Sequence, residues 1–223
     1  YFKKMYDVCK KNEIIFIADE VVTGFGRLGH FFSSEEIFGV VPDIITCAKG
    51  ITSGYLPLGA VLFSNKLIAD LKDDSSLFFH GYTYSGHPAC CAAALKNIEI
   101  LKRDKILEHV KEIEPYFFEK LNTLYELPIV GDIRGKGLMA GIECVINKDS
   151  KEALVLDKAI GSRIDEESIK LGLIIRPLYH ICVLSPALII NKEQINELTE
   201  KLYQAISNTI DQLKIEGLWS QNK

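Results

Sequence analysis

The sequence has no apolar stretch near the length of a membrane span, and no basic patch leads into a hydrophobic segment. A spanning helix and a secretory leader are therefore not expected, and neither is a membrane partner. It has no Asn-x-Ser/Thr acceptor site and no Cys-x-x-Cys pair. The cysteines, Cys9, Cys47, Cys90, Cys91, Cys144 and Cys182, lie mostly in apolar segments such as IITCAKG and ACCAAAL. Such placement argues for buried free thiols in a reducing compartment and against a zinc site or a disulfide framework. Basic residues do not cluster, and 26 Lys and Arg against 30 Asp and Glu leave a net charge of −4, so nucleic acid is not an expected partner. Internal repeats and low-complexity linkers are missing too. What these absences leave is a soluble, cytoplasmic globular protein, whose 223 residues suffice for one large domain or two smaller ones.

An initiator Met is also missing. The chain opens on YFKKMYDVCKKNEIIFIADE, already inside what reads as a helix feeding a strand, and the expectation is the C-terminal portion of a longer protein. The run IIFIADEV (14–21) has the β-branched, apolar character of a buried parallel strand, ending in acids. DIITCAKG (43–50) is a second such run, ending in a lysine, and PLGAVLFS (57–64) is a third. SSEEIFGVVPD leaves room for a turn or two of helix between the first two. From Pro88, PACCAAALKNIEILKRDKI reads as a helix with Pro in its first turn. Beyond residue 104 the texture changes. A long amphipathic stretch, ILEHVKEIEPYFFEKLNTLYE, precedes strand-like pieces DIRGKGLMAGIECVI, LGLIIRPL and ICVLSPALII, interleaved with helices near 157–170 and 191–215. This alternation predicts an α/β first domain over 1–104 and a linking helix with a smaller α+β domain over 105–223.

GFGRLG (24–29) spells G-x-G-x-x-G, the pyrophosphate loop of a dinucleotide-binding enzyme. The context opposes that reading. Asp19 and Glu20 stand just before the loop, where their charge would repel a pyrophosphate. No long helix follows Gly29 to offer its N-terminus, and the second strand ends in Lys49 rather than in a ribose-binding acid. The glycines are read instead as a tight reversal beneath a crowded site.

Two strands that deliver Asp19 and Lys49 to one sheet edge raise a different chemistry. Ligands of open α/β sheets bind at the carboxyl ends of the strands. An amine partly desolvated there is held more in its free, nucleophilic form. A plain buried ion pair, or a lysine reaching out past Gly50, fits the spacing equally well.

IADEVVTGFGRLG, PDIITCAKGITSGYLPLGAV and HGYTYSGHP, in this order and spacing, closely resemble class III aminotransferases, which are pyridoxal 5'-phosphate enzymes of fold type I. The nearest likeness is to the omega-amine:pyruvate and putrescine:pyruvate branch. It runs from the first strand to VLSPALIINKEQINEL, nearly the whole chain. The resemblance implies the C-terminal half of a large, mostly parallel-sheet domain plus the small domain. Lys49 matches the family's Schiff-base lysine, which also moves the substrate proton. Asp19 matches the carboxylate that keeps the pyridine nitrogen protonated. Glu20 points the other way in an extended strand. Val21, two residues past Asp19 on the same strand face, matches the residue packed flat against the ring, and ordinary core is the alternative. Thr83 of HGYTYSGHP matches the threonine reaching the cofactor phosphate of a partner subunit, with Tyr82 lending its backbone N–H. A shared, homodimeric site follows, and a polar turn capping the next helix is the alternative. Arg176 in LGLIIRPLYH matches the arginine that binds a substrate carboxylate, for which a planar fork suits better than a lysine. Arg134 and the glycines of GDIRGKGLMAG read as fold-forming turns. His80 and His87 read as structural, and no metal is expected.

The family's N-terminal half, which supplies the Gly-Ser loop over the phosphate and the aromatic ring on the other cofactor face, has no counterpart here. The expected reaction moves an amino group from a primary amine or omega-amino acid to a keto acid such as pyruvate, and the isolated chain is expected to hold cofactor weakly. Rival readings are another class III activity (ornithine, 4-aminobutyrate, acetylornithine or diaminopelargonate aminotransferase), the disfavoured NAD oxidoreductase, and an inactive fragment serving as an assembly partner.

Overall fold

The structure, a computed structural model, describes residues 1–70, 78–149, 152–153 and 159–220. The chain divides into two compact units, Tyr1–Glu108 and His109–Lys223.

The first unit runs α1 (Phe2–Lys11), β1 (Ile17–Asp19), α2 (Ser33–Glu36), β2 (Ile44–Cys47), β3 (Ala60–Phe63), α3 (Asn65–Asp70) and α4 (Pro88–Arg103). Its strands form a sheet in the order β1-β2-β3. β1 lies parallel to β2, with Asp19 level with Thr46, and β3 is antiparallel to β2, with Ala60 level with Cys47. Asp43 ties the start of this sheet together. Its carboxylate accepts the Phe16 N–H at 2.9 Å and the Lys10 ammonium at 3.0 Å. The Phe16 amide, and after it Lys10, hold the Asp43 carboxyl below its usual range.

The first strand departs from expectation. Of the run IIFIADEV only Ile17–Asp19 pairs, and Ile14, Ile15 and Ile17 are all more than half exposed. The reason is position. β1 is the edge of the described sheet, with β2 on one side only, so its apolar side chains have little to pack against within this unit. The second strand is also shorter than DIITCAKG, because the backbone turns at Lys49, whose φ of +42° no strand accommodates.

The helix α5 (Ile106–Asn122) opens at the end of the first unit, and the division falls within its first turn. The second unit continues with β4 (Val130–Lys136), β5 (Met139–Asn147), β6 (Glu152–Ala153), α6 (Ile160–Lys170), β7 (Arg176–Leu178), β8 (Ile181–Leu184) and α7 (Lys192–Ile215). The helix expected near 157–170 is thus observed from Ile160, and 157 and 158 lie outside the described residues. Its sheet is antiparallel, ordered β4-β5-β8-β7, with β6 also on β5. The hairpin between β4 and β5 needs its glycines. A Cβ on Gly135 would lie 2.0 Å from the Met139 carbonyl oxygen, and Gly137 has φ +57°.

The core of this unit joins sheet residues Ile142, Cys144, Cys182 and Leu184 to Phe117 and Leu121 of α5, Ile164 of α6, and α7. α7 buries Ile195, Thr199, Leu202, Ile206, Ile210 and Leu213, the three- and four-residue spacing of one helical face. A capping box starts it. The Gln194 N–H donates to Asn191 Oδ1 at 2.9 Å, and the Asn191 N–H donates to Gln194 Oε1 at 3.1 Å. All six cysteines are free, and four of them are buried. Among the described residues no helix is long and apolar enough to cross a membrane.

Candidate active site

The two strand ends singled out by the sequence are neighbours. Asp19 closes β1 level with Thr46 of β2, and Lys49 follows β2 in a short 3₁₀ turn, Lys49–Ile51. Both side chains are exposed in this chain rather than desolvated, and Lys49 borders an open hollow. That hollow, about 710 Å³, is bordered by Lys49, Thr52, Tyr55 and the segment Leu56–Gly59. Among the described residues nothing pairs with the Lys49 amine.

Asp19 is aimed by its own backbone. The Val21 N–H donates to its Oδ1 at 3.0 Å, which leaves Oδ2 without a donor among the described residues. The same bond corrects the placement of Val21. It does not continue the strand face. The chain turns at Glu20, whose carbonyl oxygen accepts the Gly24 N–H at 2.9 Å, and Val21 sits half-buried at the start of that turn.

Glu20 is a residue that sequence reasoning passed over. It is 2% exposed, and its carboxylate accepts the Ser33 N–H (2.8 and 2.9 Å), the Ser34 N–H (2.7 Å), the Ser34 hydroxyl and the Thr23 hydroxyl (2.8 Å). The GFGRLG bend therefore wraps a buried acid, and this acid occupies the N-terminus of α2. A phosphate has no place there, which removes the structural basis of a dinucleotide loop. The glycines serve the bend itself. A Cβ on Gly24 would meet the Glu20 carbonyl oxygen at 2.8 Å, and Gly26 and Gly29 have φ of +99° and +84°.

The Lys49 turn is gripped from two sides. On one, a Cβ on Gly50 would lie 2.9 Å from Phe25 Cβ and 3.2 Å from the Gly24 carbonyl oxygen, so only glycine lets the turn sit this close to the bend. On the other, Asn97 of α4 donates from Nδ2 to the carbonyl oxygens of Gly50 (2.9 Å) and Ile51 (3.2 Å). Its Oδ1 accepts the Ser53 hydroxyl at 2.6 Å. Asn97 was also missed. Its one signal was a residue of poor helix propensity in the middle of LKNIEI.

Thr83 opens a turn just ahead of α4, and its hydroxyl has no partner among the described residues. The Tyr82 N–H, expected to be offered to a ligand, donates instead to Ser85 Oγ at 2.8 Å, closing the turn on itself. In the second unit Arg176 opens β7 opposite Val183. It is exposed, and no acid pairs with it among the described residues. Arg134 belongs to a different group, bonded to Asp132 and Glu143 across the β4–β5 hairpin.

An unpaired amine and a half-free carboxylate on adjacent strand ends describe a site without naming it. The family model for class III aminotransferases matches residues 1–206. The chain belongs to the class III aminotransferase family. Its members depend on pyridoxal 5'-phosphate. Similar proteins include a putrescine–pyruvate aminotransferase of Pseudomonas aeruginosa, 40% identical over 210 residues, which cover 94% of this chain and 45% of the relative. A solved (S)-enantioselective omega-transaminase of Thermomicrobium roseum superposes with a TM-score of 0.89 at 40% identity, over 95% of this chain and 47% of that one. A PMP-bound aminotransferase of Vibrio fluvialis gives 0.87 at 34% identity, over 95% and 47%. This class III chain spans about half the length of the curated relatives it matches. The two groups at the strand ends fit the family's cofactor: an amine for the aldehyde and a carboxylate oxygen open to a protonated ring nitrogen.

Proposed function

We propose that this chain supplies the lysine-bearing half of a pyridoxal-phosphate aminotransferase that moves an amino group from a primary amine or omega-amino acid to a keto acid such as pyruvate. The observation that carries the reading is the Lys49 amine, without a partner among the described residues, in a left-handed turn just after the strand that pairs with the one ending in Asp19.

When bound, pyridoxal phosphate supplies a ring that accepts the electron pair of the carbon–hydrogen bond beside the amine. The remaining work belongs to residues of the chain. Lys49 would hold the cofactor through Nζ, and its amine, when free, would take and return the proton of the substrate carbon. Asp19, steadied by the Val21 N–H, would offer its open oxygen to the protonated pyridine nitrogen. Val21 would border the ring, and Thr83 with the Tyr82 segment would hold a phosphate across a homodimer interface. Arg176 receives the carboxylate of the keto acid as a bidentate fork. Residues 1–104 then form the second half of the cofactor-binding domain, and 105–223 the linking helix and small domain. The free cysteines support a cytoplasmic setting.

The test is amine transfer in the protein completed to the family's length, assayed with putrescine, 4-aminobutyrate and ornithine as donors and pyruvate as acceptor. Transfer from putrescine is expected to exceed that from the other two, and Lys49→Ala is expected to lower kcat by about 10²–10⁴-fold. Preference for 4-aminobutyrate or ornithine would move the chain to another branch. Transfer that survives Lys49→Ala would refute the assignment.

A further inference from the structure

Lys49 has φ +42°, a conformation that strains a non-glycine residue and persists only where its surroundings hold it. The turn has bonds of its own: the Ile51 N–H donates to the Ala48 carbonyl oxygen at 3.0 Å and the Thr52 hydroxyl to that of Leu56 at 2.6 Å. The bonds that close on the left-handed corner itself are longer, the Thr52 and Gly54 N–H groups reaching the Lys49 carbonyl oxygen at 3.3 Å each and the Ser53 N–H that of Gly50 at 3.2 Å. These lie at the long end for N–H···O bonds, so the corner at Lys49 and Gly50 is the loosely closed part of the turn. Two further residues downstream, Ser53 and Gly54, are also left-handed, at φ +51° and +79°.

What lies outside the turn fixes it. The Gly24–Phe25 backbone fills the space on the Gly50 side, where no Cβ fits. From α4, one carboxamide engages three groups in sequence: the Gly50 carbonyl, the Ile51 carbonyl and the Ser53 hydroxyl. The Ile51 carbonyl accepts no other bond from the described backbone. A carboxamide is the side chain that suits this task, because it donates twice from one end and accepts at the other. An acid in its place would set an oxygen against two carbonyl oxygens, and a hydroxyl, with one proton to donate, would serve only one of those two carbonyls.

We propose that Asn97 is the positioning residue of Lys49: by bracing the turn at 50, 51 and 53 it fixes the direction in which the Lys49 amine leaves the sheet edge. The proposal rests on the cofactor reading for its purpose and on the turn geometry alone for its substance. It also gives α4 a role in the site. The helix that begins beside the Thr83 turn ends up holding the lysine.

The experiment compares the 223-residue chain with Asn97→Ala, Asn97→Asp and Ser53→Ala by two readouts. The first is amide hydrogen exchange at Thr52, Ser53 and Gly54. The second is the rate at which pyridoxal phosphate with borohydride labels Lys49, divided by the rate at exposed Lys96 in the same molecule. Asn97→Ala and Asn97→Asp are each expected to speed exchange at the three amides about tenfold, leave α7 exchange unchanged, and lower the Lys49 to Lys96 ratio several-fold. Ser53→Ala, which loses one of the three contacts, is expected to change both by about twofold. Exchange in the Asn97 variants equal to that of the parent, or a Lys49 ratio that holds while exchange rises, would overturn the proposal. A general loss of protection including α7 would also count against it, since it marks Asn97 as part of the overall packing. If Lys49 of the parent chain is no more reactive than Lys96, the cofactor reading falls, while the exchange rates still decide whether Asn97 holds the turn.

Discussion

Glu20 and Asp19 are adjacent acids with opposite assignments. The Glu20 carboxylate is buried and spends its lone pairs on the Ser33 and Ser34 amides and two hydroxyls, while Asp19 is exposed with one oxygen open. Each therefore fails differently. Glu20→Gln places an NH₂ against N–H donors and is expected to destabilise the chain by about 1–3 kcal/mol, read from urea unfolding at neutral pH. A change within about 0.5 kcal/mol would mean that the bend does not depend on this acid. Asp19→Asn should leave the unfolding curve almost unmoved and instead lower kcat of the completed enzyme by at least about tenfold, because an amide cannot hold a proton on a ring nitrogen. The sequence distinguished these two only by strand alternation, and the structure has Glu20 buried and Asp19 exposed. It could not reveal the capping role, because the partner amides lie thirteen and fourteen residues downstream across a bend.

Among elements, the sheet start is organised by Asp43, which bonds Phe16 just before β1 and Lys10 at the end of α1. The folded carboxyl is held below its ordinary value, so the group stabilises the fold fully above the usual carboxylate range, and that contribution is lost as pH falls through the lower, folded value. The parent chain is thus expected to lose thermal stability on acidification below about pH 4, and Asp43→Asn to start lower at pH 7 with a shallower acid limb. Parallel acid limbs for the two would contradict this account. The elements themselves were largely legible. The helix at Pro88 and the last helix with its apolar stripe follow their sequence patterns closely, since periodicity and capping are local. The strand ends were not. IIFIADEV shortened to three paired residues and DIITCAKG to four, because pairing partners and the left-handed turn at Lys49 are set by tertiary packing.

At the scale of the molecule, the two units are unequally furnished. The second has a continuous core of sheet and helices, whereas the first exposes Ile14, Ile15 and Ile17 beside β1, and Phe79, Tyr82 and Tyr84 ahead of α4. That contrast, with coverage of about half the length of its relatives, supports a chain whose first unit finds its cover in additional polypeptide. It follows that the chain alone should hold pyridoxal phosphate weakly, and that supplying the remaining half should tighten binding by at least about tenfold through the phosphate and ring contacts it adds, measured by cofactor titration. Equal affinity with and without that half would show the cradle to be complete already.

The most direct measurement is peptide mapping after the chain has been treated with excess pyridoxal phosphate and reduced with borohydride. The pyridoxyl label is expected to concentrate on Lys49, and Lys49→Ala is expected to remove that site without shifting the label to any one neighbour. Label spread over Lys10, Lys66, Lys96 and the other surface lysines, with Lys49 no richer than the rest, would contradict the assignment of this turn as the cofactor-bearing site.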